Sequence, residues 1–176
     1  EAQSAFIAGN DTICDNDQDF AILSVSFTGV SPFSFSFSIN GALQPSVITT
    51  INPYIINTKV PGNYTLISYN DANSSGSFSG SGLVTVLESP TAIIHLQSDT
   101  LLITYPVANF ISESTGNIIS WNWNFGDNTS NNSSLNISHL YQDSSAIYNA
   151  SLIVIDVNGC SDTAMHNIWI TNDFWI

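Results

Sequence analysis

The sequence predicts an all-β protein built as two tandem antiparallel β-sandwiches. Three observations carry this. Helix signals are almost absent: no window of about 11 residues keeps a clean 3.6-residue apolar period, and the Glu, Lys, Arg, Gln and Ala of surface helices are scarce. Alternating apolar runs recur about every 8 to 12 residues, with turn formers between them. The pattern then restarts midway along the 176 residues.

In the first half, Ala21, Leu23, Val25 and Phe27 alternate with other residues. Phe33, Phe35, Phe37 and Ile39 alternate with serines and meet Asn40-Gly41, a strong hairpin turn. Residues 64–69 read as a strand behind the Pro61-Gly62 turn, and 83–87 as another. Glu88-Ser89-Pro90-Thr91 is a short linker. Beyond it, strands are predicted at 92–96, 101–104, 107–112, 118–125, 138–141, 148–157 and 163–171. The halves resemble each other: Tyr64 and Tyr148, 84 residues apart, each head an alternating strand that ends in Asp (Asp71 and Asp156). The predicted division is 1–89 and 90–173, with 174–176 starting a linker to a following domain.

Composition narrows the function. One basic residue, Lys59, faces 14 carboxylates, for a formal charge of -13. Such a surface repels phosphate backbones and anionic membranes, so nucleic-acid binding is excluded as a reading. No apolar run reaches the ~18 residues that suggest a membrane span. Glu1 reads as a cut site in a longer, exported chain, and the apolar end "TNDFWI" as a fragment boundary. Cys14 and Cys160 lie 146 residues apart. A disulfide between them would link two domains, and two buried or unpaired thiols are the expected state.

Several stretches could carry chemistry. Trp121, Trp123 and Phe125 share one strand face and either bury together or form a stacking row for a carbohydrate. Core packing is expected for Trp123 and Phe125, while Trp121 keeps a ligand-binding alternative. Gly126-Asp127 is no phosphate loop, because no lysine or helix follows. Asp127 is expected to bond turn amides. His139 and Tyr141 alternate on a strand, but "GSFSG" (76–80) has Phe78 where a nucleophilic serine would stand. His139 is expected to pack against the turn. No His/Cys spacing suits zinc. Asp11, Asp15, Asp17 and Asp19 make the best calcium candidate. Phe20 and Ser26 stand where an EF-hand needs glycine and an acid. A looser calcium site and an acidic hairpin tip are the two readings left.

The second half resembles the polycystic-kidney-disease (PKD) domain, an immunoglobulin-like sandwich. The likeness rests on Trp123-Asn124-Phe125-Gly126-Asp127-Asn128, Ser130, His139-Leu140-Tyr141, the strand from Tyr148 to Leu152, and Asp156-Val157-Asn158-Gly159. Asn128 replaces the family's usual last glycine, a change that a left-handed turn tolerates. "DTIC" (11–14), "FTGVSPFSFSF" (27–37) and "PGNYTL" (61–66) are similar to a divergent immunoglobulin-like repeat found beside PKD domains in large Bacteroidetes surface proteins. The pairing resembles gliding-motility adhesins and other type IX secretion substrates. That resemblance implies a cell-surface location and partners among neighbouring domains of the chain, extracellular glycans or surfaces, and the secretion or motility machinery. It also implies O-glycosylation at Thr12, Thr100 and Thr163, each following Asp and preceding an apolar residue.

Two functions compete. One is a non-catalytic structural or adhesive repeat. The other is a carbohydrate-binding accessory module, which needs exposed aromatics on one sheet face. Trp121, Trp169 and Trp175 are its candidates. No constellation for an enzyme is apparent.

Overall fold

The computed structural model describes residues 2–16, 18–132, 135–142 and 145–172. Strands occur throughout and no helix is found among the described residues. The chain divides into two compact units, Glu1–Leu87 and Glu88–Ile176, each with its own buried apolar cluster.

The first unit contains β1 (Ser4–Ala8), β2 (Asn10–Cys14), β3 (Ala21–Thr28), β4 (Phe33–Ile39), β5 (Ala42–Leu43), β6 (Val47–Thr49), β7 (Tyr54–Thr58), β8 (Gly62–Asn70) and β9 (Ser77–Leu87). Strands β1, β3 and β7 form one layer. Strands β4, β8 and β9 form the other, with β5 and β6 beside β4 and β2 beside β9. Alternation sends Leu23, Val25 and Phe35 into the core with Tyr64. The two layers are joined, because β1 also runs parallel to Ser77–Gly80 of β9. A Cβ at Gly80 would lie 2.1 Å from the Ile7 carbonyl oxygen, and its φ is +88°. Only glycine allows the strands to meet there. This gives the "GSFSG" run a structural role.

The second unit contains β10 (Ile94–Leu96), β11 (Thr100–Leu102), β12 (Val107–Ser112), β13 (Ile118–Asn124), β14 (Ser130–Asn131), β15 (Asn136–Leu140), β16 (Ala146–Asp156) and β17 (Ser161–Thr171). Its two sheets are separate, ordered β10-β12-β15 and β11-β17-β16-β13-β14. In both units an initial strand runs parallel to the last one, β2 along β9 and β11 along β17. Both are immunoglobulin-like β-sandwiches.

The short strands β1, β2, β5, β6, β7 and β14 were not legible as strands in the sequence. The state of the cysteines is a correction. Both Cys14 and Cys160 are disulfide-bonded and neither is a free thiol. Spacing alone could not show this, since two cysteines 146 residues apart carry no framework pattern.

Candidate functional site

The richest cluster of polar chemistry lies where β13 ends. Trp123 and Phe125 point inward and are buried, and Phe110 packs on both rings. The chain then turns at Gly126, where a Cβ would lie 2.6 Å from the Asn149 carbonyl oxygen. Asn128 adopts a left-handed φ of 70°. Asp127 Oδ1 accepts the Thr129 amide at 3.0 Å, closing an Asx-type turn, and also accepts the Thr129 hydroxyl. Its other oxygen lies 2.7 Å from His139 Nε2. The His139 ring stacks flat on Phe125, with centroids 4.0 Å apart, and meets Tyr141 edge-on. Tyr141 donates its hydroxyl proton to the Phe125 carbonyl at 2.9 Å and stacks on Tyr148.

Electrostatics follow from this packing. Burial opposes ionisation of Asp127, but hydrogen bonds from the Thr129 hydroxyl, His139 and the Thr129 amide outweigh it. The carboxyl is therefore held below the usual carboxylate range. The Tyr141 hydroxyl is pushed well above the ordinary tyrosine range, first by burial and then by the nearby Asp127 and Tyr148.

An acid, a histidine and a hydroxyl meet here, yet the geometry is not that of a nucleophilic triad. In a triad the acid holds one imidazole nitrogen and the hydroxyl uses the other. Here Asp127 and Thr129 both face Nε2, at 2.7 and 3.4 Å, and the Thr129 proton is directed to the carboxylate. The cluster ties the turn after β13 to β15 and leaves no activated nucleophile.

The remaining candidates are dispersed. Trp121 is partly buried against the second core, and its indole Nε1–H is buried with no hydrogen-bond partner. Trp169 faces outward on β17. Trp175 and Asp17 lie outside the described residues. Asp11 accepts the Thr12 and Ile22 amides, both at 2.9 Å. Among the described residues, no three His, Cys, Asp or Glu side chains converge as a metal site. Thr12, Thr100 and Thr163 are each exposed on a strand, Thr12 on β2, Thr100 on β11 and Thr163 on β17.

One feature of the second unit needed the strand register to be seen. On the outer face of the five-stranded sheet, Asn167 lies opposite Asn149 and Trp169 opposite Ile147. Asn124 and Asn122, opposite Ser151 and Ile153, continue the face onto β13. The alternation of β16 and β17 was the only sequence signal of this arrangement.

The family described as the PKD domain matches residues 97–170, within the second unit. No curated protein matches the chain. Three of the solved structures that resemble it bear on the second unit. A structure concerned with promiscuous carbohydrate-binding modules of the β-sandwich superfamily shares 27% identity, with TM-score 0.44, over 48% of this chain and 35% of that one. The chain thus spans about a third of that structure's length. The PKD1 domain of the Vibrio cholerae metalloprotease PrtV shares 26% identity, with TM-score 0.40, over 47% and 96%. The PKD1 domain of Vibrio anguillarum Epp shares 23%, with TM-score 0.41, over 48% and 95%.

Proposed function

We propose that the chain is a non-catalytic structural or adhesive repeat segment, a stalk or spacer of a large secreted cell-surface protein of the gliding-motility adhesin type, exported by the type IX system. The observation that carries this reading is the repetition of one strand plan in two units, each with a sealed core of its own. Such a unit is complete in itself and can be strung in series. The shared Nε2 contact supports a turn-holding role for its ionisable cluster. Oxidised cysteines fit an extracellular setting. A polar surface rich in Ser, Thr and Asn, with a net charge of -13, keeps such a segment soluble and away from anionic membranes. On this reading Thr12, Thr100 and Thr163 are O-glycosylated, and Asp99 and Asp11 stand beside the first two hydroxyl-bearing residues.

Replacing the segment in its parent protein tests the reading. An unrelated pair of tandem sandwiches of the same length should restore surface display and function, and antibody against the native segment should label intact cells only when type IX export is active. Loss of function with the substitute, or labelling that persists with export blocked, contradicts it. Intact mass of source-derived protein checks the sugars: an unmodified mass refutes them.

A further inference from the structure

The outer face of the five-stranded sheet in the second unit has a composition that a mere spacer does not require. Inward positions of β16 and β17 are buried (Ala150, Leu152, Val154, Ile168, Ile170), so their alternates form one exposed surface. Trp169, 36% exposed, lies across from Ile147, 65% exposed, and beside Thr100 on β11. The next row is Asn167 and Asn149, whose side chains bond at 3.1 Å from Asn149 Nδ2 to Asn167 Oδ1. That bond uses one donor and one acceptor. The two amides still hold three N–H groups and further lone pairs directed at solvent, in an orientation that each fixes for the other. Asn124 adds a third amide on β13, across from Ser151.

No outward position of β11, β13, β16 or β17 carries a charged side chain, in a chain with 14 carboxylates. We infer that this face binds a neutral polysaccharide strand, with the Trp169 indole as a platform for a sugar ring and Asn167, Asn149 and Asn124 bonding its hydroxyls. A partly exposed indole offers an apolar surface to the C–H side of a sugar, while fixed amides supply both donors and acceptors. The absence of charge fits an uncharged ligand, since a carboxylated glycan would meet no cation here. The proposed sugar on Thr163 lies about 20 Å along β17 from Trp169 and leaves that end clear, whereas one on Thr100, directly beside Trp169, would compete for the same platform, so binding is tested on chain without sugars.

The test uses the unmodified full chain in affinity electrophoresis through gels containing neutral polysaccharides (a mannan, a galactan, a β-glucan, a xylan) or the charged alginate. At least one neutral gel should retard the protein while alginate does not. Trp169→Ala should weaken retardation roughly tenfold or more, a change of about 1.4 kcal/mol, and Asn167→Ala should weaken it by less. Phe6→Ala, an exposed aromatic of the first unit, should leave it unchanged, and unchanged melting of each variant confirms folding. The proposal is overturned if no neutral polysaccharide retards the chain, if Trp169→Ala binds as well as the parent, or if alginate alone binds. Self-association in sedimentation that disappears in Trp169→Ala would also overturn it, by making the face a contact between copies.

Discussion

The two sandwiches follow one strand plan and are fastened in different ways. In the first, β1 is stitched to both β3 and β9, so its layers form one continuous sheet. In the second, the three- and five-stranded sheets share no strand pairing among the described residues. The first unit adds a tyrosine corner: Tyr64 donates its hydroxyl to the Val60 carbonyl at 2.8 Å, four residues back along the chain. The second replaces these backbone ties with Asp127, His139 and Tyr141, which link the turn after β13 to β15 and to the carbonyl of Phe125. Both units use a buried aspartate at the last hairpin. Asp71 accepts the Val30, Asn73 and Ser74 amides, and Asp156 accepts those of Asn158 and Cys160. The topological need is the same, to hold loops across the ends of a sandwich. Beyond these aspartates, the first unit relies on a strand shared between its layers and packed at Gly80, and the second on the Asp127–His139–Tyr141 side chains.

That contrast can be broken from either side. The largest effect should come from Trp123→Ala, which removes a fully buried indole from the second core. A loss of about 3–5 kcal/mol is expected by urea denaturation. Trp121→Phe should fall within about 1 kcal/mol of the parent, because relief of an unpaired indole N–H offsets lost contact area. Equal losses at the two tryptophans would mean that Trp121 is an ordinary core residue. On the other side, Gly80→Ala should cost the first unit roughly 1–3 kcal/mol, through overpacking against β1. Faster amide exchange in residues 4–8 would localise it. No change would show that β1 is not tightly seated.

The pH response separates the units further. The carboxyl of Asp127 lies below its ordinary value of about 3.9 in the folded state. Its contribution is therefore fully present above that value and is lost as pH falls through the lowered one. Asp127→Asn should flatten the acid-side loss of stability below about pH 4, an effect read from melts at stepped pH. An unchanged acid limb would assign that loss elsewhere. Asp71 is held low as well, first by the Val30 amide and then by those of Ser74 and Asn73 against the effect of burial, so part of the acid response remains. Tyr64→Phe, which removes the bonds of its hydroxyl to the Val60 carbonyl and the Thr58 hydroxyl, should cost about 1–3 kcal/mol.

Much of this was legible in the sequence where alternation is long. Phe33 to Ile39, Tyr64 to Tyr69 and the two long strands of the second unit show period two over seven or more residues or sit behind clear turns, and they are strands. Short edge strands were not legible, because five residues such as "SAFIA" hold too few alternations to stand out. Trp123, Phe125, Asp127 and His139 could be singled out by type and order, but not the sharing of Nε2 by Asp127 and Thr129, which decides their chemistry. The asparagine rows were hidden for a different reason. Asn149 and Asn167 are 18 residues apart and meet only through the β16–β17 register.

The central claim is that the residues most like a catalytic site form a lock between a turn and a strand. A double-mutant cycle with Asp127→Asn and His139→Gln, followed by urea denaturation at pH 7, tests it most directly. The lock predicts a coupling of about 0.5–3 kcal/mol between the two substitutions. Additive losses, within error, would show that the pair bears no shared structural role and would contradict the account.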